Sequence, residues 1–267
     1  MLKIDQYAYT NRLAGMHPAE KALLAVLTLV VGLVFFTPLV SLSIIAVMAV
    51  MTVVRAGIPL RFYCKLMLLP FAFLVLGVFT VALTVAGDGA SFLWSVRIGG
   101  YAVGVTASGL QQAGELFLKS LGAVSCLYFL SLTTPLVEVL AVLHRMRFPS
   151  LLIELMSLVY RFIFVLLETA DKIYISQSSR WGYASLKTSY RSLGQLLSSL
   201  FGKAYYNSQM LFLALSSRCY TGKLNLLERP LTFSRKNMAL IVLLQILLIA
   251  IGRLAPAGMG IPWRCTG

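Results

Sequence analysis

The sequence predicts an all-α integral membrane protein with about five transmembrane helices and a set of long cytoplasmic helices. Three observations carry that expectation. The 267 residues are 59% hydrophobic and only 12% charged, with a mean hydropathy of +0.85; a soluble domain carries about twice that charge. The apolar residues fall in runs long enough to cross lipid, where a helix satisfies its own backbone hydrogen bonds. The basic residues gather beside these runs, as cytoplasmic loops require.

The first run, Ala22–Phe36, ends at Thr37-Pro38, and a second, Leu39–Val54, follows at once, which predicts a helical hairpin. The next loop, RAGIPLRFYCK, holds Arg55, Arg61 and Lys65 and no acid, so the positive-inside rule makes it cytoplasmic. The N-terminus is then cytoplasmic too, which suits Lys3 and Arg12. A third run, Leu66–Ala86, leads outward to GDGAS at 87–91; the Gly-rich stretch Arg97–Gly114 reads as an external interfacial segment or short hairpin. The fourth span, Leu110–Leu132, carries Glu115 and Lys119 at i,i+4, the favourable order for a helical ion pair. That pair serves equally as helix-packing glue or as a mechanistic element.

Residues 133–236 differ in character, with 13 Lys+Arg against 5 Asp+Glu, and are expected in the cytoplasm. Three domains follow: 1–132, the N-terminal membrane helices; 133–236, the cytoplasmic helical region; and 237–267, a last span and tail. In TTPLVEVLAVLHRMRFP, Thr134 suits an N-cap, Pro135 the first turn and Glu138 the positive helix N-terminus. Leu136, Val139, Leu140 and Leu143 form its apolar stripe, and it stops near Arg147, before Pro149. A second helix begins near Ser150; its first half is apolar, its second polar, and Gly182 can end it. A third runs from about Ser189 to Tyr220, with Leu193, Leu197, Leu200, Ala204, Leu211, Ala214 and Leu215 at amphipathic spacing and Gly222 as a fitting terminator. The basic connector KLNLLERPLTFSRK leads to the last run, Asn237–Gly252. Five spans put the C-terminus outside, an orientation that Arg253 and Arg264 mildly oppose.

Several function classes find little support. The charge of +14 fits anionic lipid headgroups better than nucleic acid in so apolar a chain. Cys64, Cys126, Cys219 and Cys265 are scattered, and the two histidines, His17 and His144, are far apart; neither a disulfide framework nor a zinc site is expected. No metal or other cofactor is expected. His17, Glu20 and nearby Asp5 could share a metal, but His17 beside Pro18 reads better as a helix-start residue, with Glu20 stabilising the N-terminus. There is no HExxH, no phosphate-cradling Gly-rich loop and no nucleophile elbow. The first twenty residues lack the apolar core of a cleavable signal.

Two stretches stand out: SQSSRWGY at 176–183 and ALSSRCYTG at 214–222 each close a helical pattern on Ser-Ser-Arg. An arginine in a last turn is favoured by the helix dipole by roughly 0.3–1 kcal/mol, a sufficient explanation for either alone. The repetition suggests more, since a guanidinium fork is well made for carboxylates across an interface.

These stretches, with TTPLVEVLAVLHRMRFP, YRFIFVLLETADKIYISQSSR and the N-terminal IDQYAYTNRLAGMHPAEK, resemble the transmembrane T component of energy-coupling factor (ECF) transporters, in the cobalt-type, CbiQ-like branch. The resemblance covers most of residues 1–252. In that family two cytoplasmic coupling helices each end in a small residue–Arg–Gly motif that docks on a pair of ABC-type ATPases. The matching positions are Ser179, Arg180 and Gly182 in the first helix and Ser217 and Arg218 in the second. This chain departs from the pattern: Ser replaces Ala before each Arg, and Trp181 and Cys219 follow where the family has Gly. The resemblance implies a non-catalytic subunit of a cobalt importer in a bacterial or archaeal cell membrane. Its partners would be the ATPase pair, a separate substrate-binding membrane subunit, a small accessory membrane subunit and the bilayer, and ATP hydrolysis would lie on the ATPase chains. The alternatives are a permease or scaffold subunit of another ABC-type importer, for nickel or a vitamin, a membrane enzyme, or a subunit that binds its own cargo. The last would need His, Cys, Asp or Glu in a cluster.

Overall fold

The structure, a computed structural model, describes residues 3–35, 37–86, 92–98, 101–220 and 233–254. Helices α1 (Lys3–Thr10), α2 (Pro18–Val34), α3 (Pro38–Val50) and α4 (Leu60–Ala82) are followed by strands β1 (Leu83–Ala86), β2 (Phe92–Ile98) and β3 (Tyr101–Thr106). Then come α5 (Ala107–Thr133), α6 (Leu136–Arg145), α7 (Ser150–Ser179), α8 (Leu186–Ser216) and α9 (Arg235–Leu254). The chain forms two compact units, one of residues 136–230 and one of residues 2–135 with 231–267.

The larger unit is built around α5, which packs against α1, α2, α3 and α4, while α9 packs on α2 and α3. Leu24, Ile44, Met48, Phe129, Leu132 and Leu248 form its core. Small residues let these helices approach. A Cβ on Gly32 would stand 2.8 Å from Ile44 Cδ1, and one on Gly252 2.7 Å from the Phe35 ring. Thr28 and Thr52 return their hydroxyls to the carbonyls one turn back (2.7 Å each), and Gln245 Nε2 donates to Thr28 Oγ1 (2.8 Å), tying α9 to α2. The outside is as apolar as the inside: α4 exposes Leu68, Leu69, Phe73, Leu76 and Phe79. A face of that kind is stable only against lipid.

Five helices are long and apolar enough to cross a membrane: Pro38–Arg55, Leu60–Val81, Gly109–Thr133, Ser150–Ser179 and Arg235–Arg253. The expected number holds, with one difference in membership. Helix α2 has 17 residues and is shorter than these, whereas the apolar first half of α7 brings that helix within the criterion. The protein is a multi-pass membrane protein.

Three boundaries differ from the sequence reading. Helix α4 starts at Leu60, inside the expected loop, because the Phe62 and Tyr63 amides bond to the Pro59 carbonyl (2.9 and 3.1 Å) and Phe62 packs on Tyr7 with ring centroids 4.6 Å apart. The third run ends as helix at Ala82, and its last residues form β1. The sheet is antiparallel in order β1-β3-β2, with Leu83 opposite Val105 and Ile98 opposite Tyr101. Of the two expectations for Arg97–Gly114, an external interfacial segment or a short hairpin, the pair β2–β3 matches the hairpin only in part: it starts earlier, at Phe92, and Ala107 onward is already helix. GDGAS at 87–91, most of the connector after α8, Gly222 and the tail from 255 lie outside the described residues.

Candidate functional site: two arginine-capped helix ends

Within the smaller unit α7 and α8 are 30 and 31 residues long, about 45 Å each, and run antiparallel. They are fastened at both ends. At the turn, Gln177 Nε2 donates to the Ser192 carbonyl (3.0 Å), Ser192 Oγ donates to the Gly182 carbonyl (2.8 Å), and the Tyr183 hydroxyl donates to Gln177 Oε1 (2.9 Å). Ser185 begins α8 with a reciprocal capping box to Thr188. At the far end the Tyr220 hydroxyl donates to Glu154 Oε2 (2.8 Å). That bond favours the protonated phenol and raises its pKa.

Both arginines stand at these ends, past the helices rather than in their last turns: Arg180 directly follows Ser179, and Arg218 follows Ser217, the C-cap of α8. Arg180 is the C-cap of α7 (φ −102°, ψ 22°). Trp181 follows in the left-handed region (φ 60°) and donates to the Ser178 carbonyl (3.1 Å); Gly182 donates to the Gln177 carbonyl (2.9 Å). The other tip repeats this. After Arg218, Cys219 is left-handed (φ 55°) and donates to the Ser216 carbonyl (3.2 Å), and Tyr220 donates to the Leu215 carbonyl (3.1 Å). Each end carries the Schellman pair of hydrogen bonds, with Arg directly before a residue in the conformation that glycine adopts at no steric cost. Helix α6 closes the same way around Arg147 (φ 63°), with Phe148 donating to the Leu143 carbonyl (3.3 Å).

The geometry corrects two expectations. Gly182 does not take the left-handed position. It is glycine for want of space: a Cβ there would lie 2.7 Å from the Gln177 carbonyl oxygen and 2.8 Å from Ser192 Oγ. Helix α8 ends at Ser216, so the terminating position belongs to Cys219 and not to Gly222. Ser179 and Ser217 return their hydroxyls to Ser176 and Ala214 (2.9 and 3.0 Å). Ser179, Arg180, Ser217 and Arg218 are all exposed, and neither guanidinium is ion-paired among the described residues. The fold thus presents two cationic forks, one at each end of one hairpin, on helix ends of the same construction.

A second cluster lies in the larger unit, and no sequence period announces it. Glu20 and Lys21 are each 1% exposed. His17 caps α2, its Nδ1 accepting from the Ala19 amide (3.1 Å), as expected of a helix-start residue, and its ring stacks on Phe233 at 3.8 Å. Asn11 Nδ2 donates to the Ala8 carbonyl (2.7 Å) and the Thr133 carbonyl (3.2 Å). Glu115 accepts from Gln111 (3.1 Å) on its own helix. Among the described residues no three His, Cys, Asp or Glu side chains group as metal ligands.

The profile of the CbiQ family, described as a cobalt transport protein, matches residues 11–228. Among curated proteins, the cobalt transport protein CbiQ of Salmonella typhimurium is 32% identical over 85% of this chain and all of its own length. The cobalt transport protein CbiQ of Rhodobacter capsulatus is 31% identical over 93% of this chain and 97% of its own. The energy-coupling factor transporter transmembrane protein EcfT of Ruminiclostridium cellulolyticum is 28% identical over 83% and 84%.

Proposed function

Because this chain belongs to the CbiQ family of cobalt transport proteins, we propose that it is the transmembrane coupling subunit of an energy-coupling factor importer for cobalt ions. It passes motion from a pair of cytoplasmic ABC-type ATPases to a separate substrate-binding membrane subunit, and a small accessory membrane subunit completes the assembly. The observation that carries this reading is the pair of exposed arginines, Arg180 and Arg218, at opposite ends of one antiparallel hairpin. Each fork enters an acidic groove of one ATPase, where a planar guanidinium pairs with a carboxylate in two-point geometry. Ser179 and Ser217 keep the backbone beside each fork uncrowded, and Gly182 lets the turn close tightly behind Arg180. Trp181 and Cys219 stand where the family's motif has Gly and take the left-handed conformation that glycine adopts at no steric cost, so the substitutions keep a glycine-like turn at each tip.

In this reading residues 133–236 form the cytoplasmic coupling region, with the apolar first half of α7 against the membrane rather than across it, residues 1–132 and 237–267 lie largely in the membrane, and the N-terminus is cytoplasmic. The bilayer is the inner or cell membrane of a bacterium or archaeon. Helix α8 supports the link to a membrane partner. It leaves Leu193, Leu197, Phe201 and Tyr205 exposed at four-residue spacing, an apolar stripe for which a helix of another subunit is a suitable cover. ATP hydrolysis belongs to the partner chains, and cargo recognition to the substrate-binding subunit. The similarity to EcfT favours the coupling role independently of the cargo, so nickel or a vitamin is the second reading.

The test is co-purification in mild detergent from the native membrane. An ABC-type ATPase and a small membrane protein are expected with the unaltered chain, and both should be lost with the Arg180→Glu/Arg218→Glu double variant. Full ATP-driven Co2+ uptake by that variant would overturn the proposal.

A further inference from the structure

The chain crosses between its two units twice, leaving the larger one after Pro135 and re-entering it at Leu231. Both crossings are held by two adjacent residues. Lys21 Nζ donates to the Thr133 carbonyl (3.1 Å), two residues before the exit. Glu20 accepts from the Ser234 backbone amide through Oε1 (2.7 Å) and from Asn237 Nδ2 through Oε2 (3.0 Å), just after the return. Neighbouring residues on a helix point in different directions, so one turn at the start of α2 reaches two segments that are about a hundred residues apart in the chain.

The surroundings support the same two points. Asn11 adds a second donor to the Thr133 carbonyl, and Thr133 and Thr134 are buried. The His17 ring lies on Phe233, one residue before Ser234. Both charged side chains are 1% exposed. A buried charge is costly unless its bonds are made, so cluster and crossings stay together or come apart together.

We infer that Glu20 and Lys21 are the positioning residues of energy transfer in this protein: they hold on one helix start the two segments of the larger unit that flank residues 136–230 in the chain, at Thr133 and at Ser234–Asn237, so that force carried along the chain from those residues arrives at α2. The inference rests on the coupling role proposed above. Without the anchor, the segments at Thr133 and Ser234 are free to give way under that force. With it, both crossings load the helix that packs on α5 and α9.

The experiment has two arms. In the first, hydrogen exchange is followed on the full chain in detergent. The Ser234 amide should be protected in the unaltered protein and released by Glu20→Ala, while the Gly182 amide stays protected. Free exchange at Ser234 in the unaltered protein would overturn the anchor. In the second, Co2+ uptake per ATP hydrolysed is measured on the whole complex in proteoliposomes. Asn237→Asp places a second carboxylate on Glu20 and should lower that ratio with ATP hydrolysis retained. The exchange of roles in Glu20→Gln/Asn237→Asp rebuilds a donor–acceptor pair and should restore it. A ratio unchanged by Asn237→Asp, or not restored by the double variant, would reduce the pair to packing. The exchange arm needs no substrate. Missing Co2+ uptake by the unaltered complex would therefore sink the transport reading and the coupling role with it, and would leave the anchor standing.

Discussion

At Trp181 and Cys219 the chain places a side chain where the backbone prefers none. A left-handed residue other than glycine costs roughly 1–2 kcal/mol, and Trp181 is 81% exposed, so few contacts repay it. Trp181→Gly and Cys219→Gly are each expected to steady the helix end by about 0.5–1 kcal/mol, read as slower exchange of the Gly182 and Tyr220 amides. Gly182→Ala should do the reverse. Its methyl meets a backbone carbonyl, and the cost of overpacking, about 1–3 kcal/mol, should appear as a lower melting temperature and weaker ATPase retention. At the other tip the Tyr220–Glu154 bond sets a pH dependence. The phenol pKa is raised above its ordinary value of 10.0 in the folded protein, so the bond contributes fully below that value and is lost as pH climbs through the raised one. Tyr220→Phe should remove the difference, and tyrosinate absorbance against pH checks it. The two arginines were readable from the sequence because Ser-Ser-Arg recurs. The residues that shape their surroundings were not, since a left-handed tryptophan or cysteine carries no local signature and glycine is the usual marker of such a turn.

Among the elements, the long helices announced themselves through apolar runs and amphipathic spacing, and α7 starts at Ser150 as that spacing predicts. The ends were harder to read. Helix α4 began early because Pro59 accepts the first turn's hydrogen bonds, and α8 stopped before Gly222 because its cap was built with other residues. Strand β1 was hidden at the end of an apolar run that a helix in lipid tolerates equally well, whereas the Gly-rich stretch from Arg97 already admitted a short hairpin. Helix α8 also starts on its own device, the Ser185–Thr188 box. Ser185→Ala should fray its first turn at a cost of about 1 kcal/mol, detectable as faster exchange of the Thr188 amide with the rest of α8 unchanged. The buried pair Glu20–Lys21 was visible only as a helix start. Its partners lie over a hundred residues away in the chain, and no periodicity encodes such a contact.

For the whole molecule, two native cysteines report which side of the membrane is which. Cys64 and Cys219 are exposed and Cys126 is buried. The start of α4, which carries Cys64 beside Arg61 and Lys65, and the tips of α7 and α8 are placed in the same compartment by the proposed topology, so single-cysteine variants retaining Cys64 or Cys219 should both react with a membrane-impermeant maleimide in inverted vesicles and neither in right-side-out ones. Opposite labelling of the two would refute the proposed topology. The antiparallel arrangement of α7 and α8 has one more consequence. Two rods of 30 and 31 residues, bonded to each other at both ends and closed by the same turn, have an approximate two-fold axis through their midpoint. A single asymmetric chain can then meet a symmetric dimer with one plug for each of two identical sockets. What breaks the symmetry is the residue after each arginine, tryptophan at one tip and cysteine at the other, so two identical subunits would be gripped by matching forks with unequal collars.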